Sequence, residues 1–113
     1  LKERLESENP PILLDIQKKN AYKEHHFKDS IRTYAYPAKT DYDLQSTVQG
    51  VRVYERTGSD LVIIGPRGGR ASQRTVDFLI TRGVPEEKIF ILQGGMREWH
   101  YKNLLITPET FPH

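Results

Sequence analysis

The sequence predicts an α/β fold, an open parallel sheet of five strands flanked by helices on both faces. Three observations carry that prediction. Short continuous apolar runs, "PPILLDI" from Pro10 and "DLVII" from Asp60, fit strands buried on both faces better than alternating edge strands. Helical patterns lie between the apolar runs, and strands that alternate with helices along a chain assemble into a parallel sheet. After "DLVII" comes the bend "GPRGGR", rich in glycine and arginine. It falls beyond the carboxyl end of a central strand, where open α/β sheets place their ligands.

Each element follows in order. Leu1 to Glu8 is expected as a short helix with Leu1 and Leu5 on one face, ended by Asn9 and two prolines. Pro10 to Ile16 is the first core strand. "KKNAYKEHHF" mixes good helix formers with Tyr22 and Phe27 and gives one or two helical turns. Ile31 to Tyr36, "IRTYAY", alternates, is rich in β-formers and ends at Pro37, so a second strand is expected there. From the N-cap Asp41, the residues Leu44, Val48 and Val51 recur at helical spacing and describe one amphipathic helix ending near Gly58. Gly50 inside it costs about 1 kcal/mol relative to alanine. "DLVII" is the central strand, and a helix from about Ala71 to Arg82 buries Val76, Leu79 and Ile80 before stopping at Gly83. "EEKIFIL" gives a further strand, "QGGMREWHYKN" a turn and short helix, and "LLI" a final edge strand.

A chain of 113 residues suits one domain, expected here over 1–113 with its core at about 10–106. The charged helical start and the "TPETFPH" finish suggest a domain taken from a longer protein. Apolar residues at 36% and charged residues at 28% give the balance of a soluble globular protein. No apolar run approaches the roughly 20 residues that span a bilayer, and "LKERLESENP" has no signal-peptide core, so a cytoplasmic location is expected. Net charge is +2, from 17 basic and 15 acidic residues, which demands neither nucleic acid nor an anionic membrane as partner. The absence of any cysteine excludes disulfides, thiolate metal sites and cysteine nucleophiles together.

The chemistry left to the loop is that of holding an anion. Gly65, Gly68 and Gly69 let the backbone approach a ligand closely, the following helix presents its positive end, and Arg67 and Arg70 add charge. Pro66 donates no amide. Neither G-x-x-x-x-G-K-[ST] nor G-x-G-x-x-G is present, so a nucleotide-phosphate loop is not expected and no cofactor is implied.

"ILLDIQKKNAYKEHHF", "DLVIIGPRGGRAS" and "LITRGVPEEKIFILQGGMREWHYKNLLI" together resemble the rhodanese-like domain over about residues 10–106. That family is marked by a first strand ending in D-V-R, a Y-x-x-G-H-I segment, a C-x-x-x-x-R-[ST] active loop and a final L-x-G-G-x-x-x-W. Asp15 matches the strand-end acid, Tyr22 and His26 the tyrosine and histidine, and Arg70 the loop arginine. Leu92, Gly94, Gly95 and Trp99 match the closing motif, which implies structural roles for Asp15, Gly94, Gly95 and Trp99. Four residues separate Gly65 from Arg70, the loop length of the sulfurtransferases rather than the longer loop of the related dual-specificity phosphatases. In active members a cysteine carries sulfur as a persulfide, and that position here is Gly65. The Ser/Thr after the arginine is Ala71, with Ser72 one place late; Gln17 replaces the D-V-R arginine, and His25 the glycine of G-H-I.

The resemblance therefore implies a catalytically inert domain with no catalytic residues, retained as an interaction or scaffolding module for a protein partner. "TYAYP", "GRAS" and "LLI" are most similar to a rhodanese domain of a centrosomal and ciliary protein, which would place the chain at a centrosome, cilium or flagellum. Two alternatives stand beside it. The degenerate loop, Gly65, Pro66, Arg67, Gly68, Gly69, Arg70 and Ala71, would act as an anion or acidic-peptide sensor through Arg67, Gly68, Gly69 and Arg70, or the chain is a sulfurtransferase whose cysteine was substituted. The loop also reads as a plain bend without a ligand, with Arg70 and Asp15 forming a structural ion pair. His25, His26 and His100 are read as surface or hydrogen-bonded residues, not as a metal site.

Overall fold

The computed structural model describes Leu5, residues 10–99 and the backbone of Leu105–Ile106. In chain order the elements are β1 (Ile12–Asp15), α1 (Lys19–Glu24), β2 (His26–Phe27), β3 (Ile31–Arg32), α2 (Asp41–Gln45), α3 (Val48–Thr57), β4 (Leu61–Ile64), α4 (Arg70–Thr81), β5 (Ile89–Ile91) and β6 (Leu105–Ile106). Single 3₁₀ turns occupy Glu86–Lys88 and Met96–Glu98. The sheet runs β3-β1-β4-β5 with every pairing parallel, which is the open α/β architecture expected from the sequence.

β1 and β4 lie in the centre and every one of their residues is buried, as their unbroken apolar runs require. Successive side chains alternate between the two faces of the sheet. On one face Ile12, Leu14, Leu61 and Ile63 pack with Val51 of α3 and with Val76 and Leu79 of α4. On the other, Leu13, Val62 and Ile64 pack with Phe27, Leu92 and Met96, and Leu5 and Trp99 close over them. Trp99 meets the Phe27 ring edge-on, with centroids 4.9 Å apart.

Several local expectations change. The 41–58 helix is two helices, because Ser46 Oγ donates to the carbonyl of Asp43 (2.8 Å) and Thr47 Oγ1 to that of Leu44 (2.6 Å), taking acceptors a continuous helix would use. Gly50, which the sequence counts as a helix-weakening residue, lets α3 approach the sheet: a Cβ there would lie 3.0 Å from Leu14 Cδ1. The "IRTYAY" strand pairs only through Ile31–Arg32. Beyond it, Thr33 satisfies the carbonyl of Asp15 with both its amide (3.1 Å) and its Oγ1 (2.8 Å), and Tyr34 turns to a φ of 57°.

Four of the five expected strands form the parallel sheet. The fifth, Leu105–Ile106, pairs antiparallel with β2 in a separate ribbon instead of lengthening the sheet edge. The short helix expected after the Gly-Gly turn is the single turn Met96–Glu98. The expected Leu1–Glu8 helix, apart from Leu5, lies outside the described residues, as does Leu104.

Candidate functional site

The loop 65–69 joins the carboxyl end of β4 to the first turn of α4. Its position is fixed from behind by the closing glycine motif. The amides of Met96 and Arg97 donate to the carbonyls of Gly65 (2.9 Å) and Pro66 (3.0 Å), so the turn clamps the loop through the main chain. Gly95 sits with a φ of 59°, and a Cβ there would collide with backbone atoms of Gly65, Pro66 and Arg67. Gly68 makes a reciprocal approach, since its Cβ would lie 2.6 Å from the Leu92 carbonyl oxygen. The L-x-G-G segment is thus the backing of the loop, and its glycines are required by contact between two main chains.

In front of the loop is a cavity of about 370 Å³. Tyr36, Pro37 and Lys39 make one wall; Pro66, Arg67, Arg70, Ser72 and Arg74 contribute to the other side. Arg74 ties the two walls together, with Nε donating to the Ala38 carbonyl (3.2 Å) and a terminal guanidinium nitrogen to that of Pro37 (2.8 Å). Lys39, Arg67 and Arg70 remain exposed, and no carboxylate lines the cavity among the described residues. The result is a concave, positively charged site at the mouth of a helix amino terminus, where an anion is favoured.

The centre of the loop holds no side chain. Gly65 is buried, and a Cβ added to it would lie 2.8 Å from Ser72 Oγ and 3.5 Å from Ile16 Cδ1. Ser72 is 1% exposed, and its hydroxyl has no hydrogen-bond partner among the described residues. The serine that the sequence places one position late therefore stands against the space where the first atom of a nucleophile would be.

Arg67, Gly69, Arg70, Pro66 and Ala71 come together at the cavity, while Gly68 faces the closing motif. Asp15 does not join them as Arg70's partner. It is fully buried, its carboxylate accepts from the Gln17 amide (2.8 Å) and Gln17 Nε2 (3.0 Å), and no ion pair links it to exposed Arg70 among the described residues. Gln17, at the place of the family arginine, supplies neutral donors instead of charge. Burial pushes the Asp15 carboxyl up to about 6, against the opposing pull of those hydrogen bonds.

His26 lies against Tyr22, rings stacked at 3.8 Å, with Nδ1 2.8 Å from the Tyr22 carbonyl oxygen. It is a packed residue of the β2 region. No cluster of three metal-ligating side chains exists among the described residues, and His100 lies outside them. Lys39, Tyr36, Arg74 and Ser72 are the site residues that sequence reasoning missed. Only Ser72 left a signal there, as a small hydroxyl residue in the first turn after the loop arginine.

Fold and site define an open α/β domain whose strand-to-helix loop is rich in glycine and arginine and has glycine where a nucleophile would stand. The chain belongs to the rhodanese-like domain family, whose model matches residues 1–102. Two chains of known structure match it. One is described as "Crystal structure of N-terminal domain of putative ATP/GTP binding protein from Clostridium difficile 630"; it is 19% identical, with a TM-score of 0.59 over 86% of this chain and 91% of that one. At that identity the likeness is one of fold. A search of curated proteins returns no match. Neither result points to the centrosomal and ciliary subfamily. Since the chain has no cysteine, the sulfur-carrying thiol of the family is absent from it.

Proposed function

We propose that this domain is a non-catalytic recognition module, in which the former active-site loop holds an acidic group of a protein partner. The observation that carries the reading is the cavity itself: Lys39, Arg67, Arg70 and Arg74 surround it, and glycine occupies the nucleophile position. A site with positive charge and no reactive atom is suited to binding. The same reading carries a cytoplasmic setting, at a centrosome, cilium or flagellum, which rests on the short sequence similarities alone.

The test is affinity capture by wild type and by the Arg67→Ala/Arg70→Ala variant, followed by titration of the captured partner with purified domain. Both arginines are exposed, so the variant is expected to fold. Binding that falls at least tenfold in the variant and weakens with added salt supports the reading. Equal binding by the two proteins would place the partner elsewhere and end it.

A further inference from the structure

We infer that α1 is a proton-released flap: protonation of Asp15 turns the side-chain amide of Gln17 over and removes the hydrogen bond that holds the end of the helix. The inference does not depend on what the cavity binds. It starts from a chain of three groups. Asp15 is fully buried and Gln17 is 2% exposed, so water does not substitute for either partner. The Asp15 carboxylate accepts from the Gln17 main-chain amide at Oδ1 (2.8 Å) and from Gln17 Nε2 at Oδ2 (3.0 Å). The same Nε2 donates to the carbonyl of His25 (3.2 Å), the residue that ends α1. A side-chain amide nitrogen has two hydrogens, and both are committed here.

α1 has little else to hold it. It is six residues long, none of them is buried, and Lys18 at its start makes no side-chain cap. A helix of that length does not persist in water by itself, so its ties to the body decide whether it forms. Beside the Gln17 bond stand the His26 Nδ1 bond to the Tyr22 carbonyl (2.8 Å), the stacking of those two rings and the edge contact of Tyr22 with Tyr34.

An ionised carboxylate only accepts, which fixes the Gln17 side chain with its nitrogen toward Asp15. A protonated one must also donate. The proton settles on Oδ2, because the main-chain amide facing Oδ1 cannot rotate, whereas the side-chain amide can exchange its nitrogen and oxygen ends by a half-turn. Oε1 then accepts from Asp15 and lies against the His25 carbonyl, acceptor against acceptor, and the helix end loses its donor. Burial raises the Asp15 carboxyl to about 6, over the opposing pull of the two Gln17 hydrogen bonds, so the carboxylate prevails above that pH and the acid below it. The titratable and charged groups around this chain are Tyr22 of α1, His25 and His26 after it, and Arg32 and Tyr34 on the β3 side. β4, opposite Asp15, offers only apolar residues, and Gln17 brings no charge. Protonation thus rids the sheet of a buried charge and costs α1 one tie. Lys18 lies over the Tyr36 ring (5.2 Å), a wall of the cavity, so release of α1 is transmitted to that wall.

The carboxyl carbon of Asp15, the side-chain amide of Gln17 and the Cα shifts of residues 19–25 would be followed by NMR from about pH 7.5 to about pH 4.5. All three are expected to move with one midpoint, the α1 shifts toward coil values. In Asp15→Asn, whose amide donates as the protonated acid does, α1 is expected to show the released shifts at both ends of the range. In Gln17→Met, which fills similar space without donors, the released shifts are expected throughout. A helical α1 while Asp15 titrates overturns the inference, as does a helical α1 in Gln17→Met. A transition of α1 that persists in Asp15→Asn overturns it too, because the titrating group is then His25 or His26. If neither variant folds, the wild-type curves decide the matter alone.

Discussion

A thiol restored at Gly65 would share its space with Ser72. The Cβ of a Gly65→Cys variant would lie 2.8 Å from Ser72 Oγ, too close without a rotation of the serine. Ser72 has a small side chain that can turn, so the variant is expected to fold. Its sulfur, however, would enter a site whose Ser/Thr position after the arginine is filled by Ala71. Assayed for sulfur transfer from thiosulfate to cyanide, wild type is expected to give none and Gly65→Cys little. Robust transfer by the single variant would show that the loop needs only its thiol. The same residues show why the site was only partly legible in the sequence. Loop length, Gly65 and Arg70 are local and can be counted, but the meeting of Gly65 with Ser72, and of Arg74 with the Pro37 and Ala38 carbonyls, exists only once strand, helix and distant loop are folded together.

Among the elements, the closing turn matters out of proportion to its length. Met96–Glu98 is one 3₁₀ turn, yet the amides of Met96 and Arg97 within it fix two carbonyls of the loop. Gly95 combines a φ of 59° and ψ of −159° with main-chain contact on the side where a Cβ would project. Gly95→Ala should therefore cost about 3 kcal/mol or more and loosen the loop, measurable as a fall in denaturation midpoint together with faster amide hydrogen exchange at residues 65–72. A midpoint within the error of wild type would show that the clamp can be rebuilt. The buried strands β1 and β4 were legible because apolar runs report burial directly. The helix break at Ser46–Thr47 and the early end of β3 were not, since both depend on hydroxyls finding particular carbonyls, a choice that apolar periodicity does not record. The pairing of β6 with β2 joins segments far apart in the chain and was equally hidden.

For the molecule as a whole, Asp15 ties stability to pH. Its carboxyl is raised from 3.8 to about 6 in the fold, chiefly by burial. The folded state thus favours the protonated acid, and the stability this gives is present below pH 3.8 and is lost as pH rises through about 6. Asp15→Asn removes the titration. The stability of the variant relative to wild type should rise by about 2 kcal/mol between pH 4.5 and 7.5, as read from denaturation curves at the two values. An unchanged difference would mean that Gln17 stabilises the ionised carboxylate fully. Positive charge is also unevenly distributed: a net +2 for the chain coexists with four cationic side chains around one cavity, so the positive field is concentrated at the loop mouth.

Trp99 is the sole tryptophan in the sequence. It directly follows the turn that clamps the loop, and its indole rests edge-on against Phe27. The sequence therefore carries a single tryptophan fluorophore, selectively excitable beside six tyrosines, directly after the turn that backs the candidate site, so its emission can follow changes at the loop in unlabelled protein.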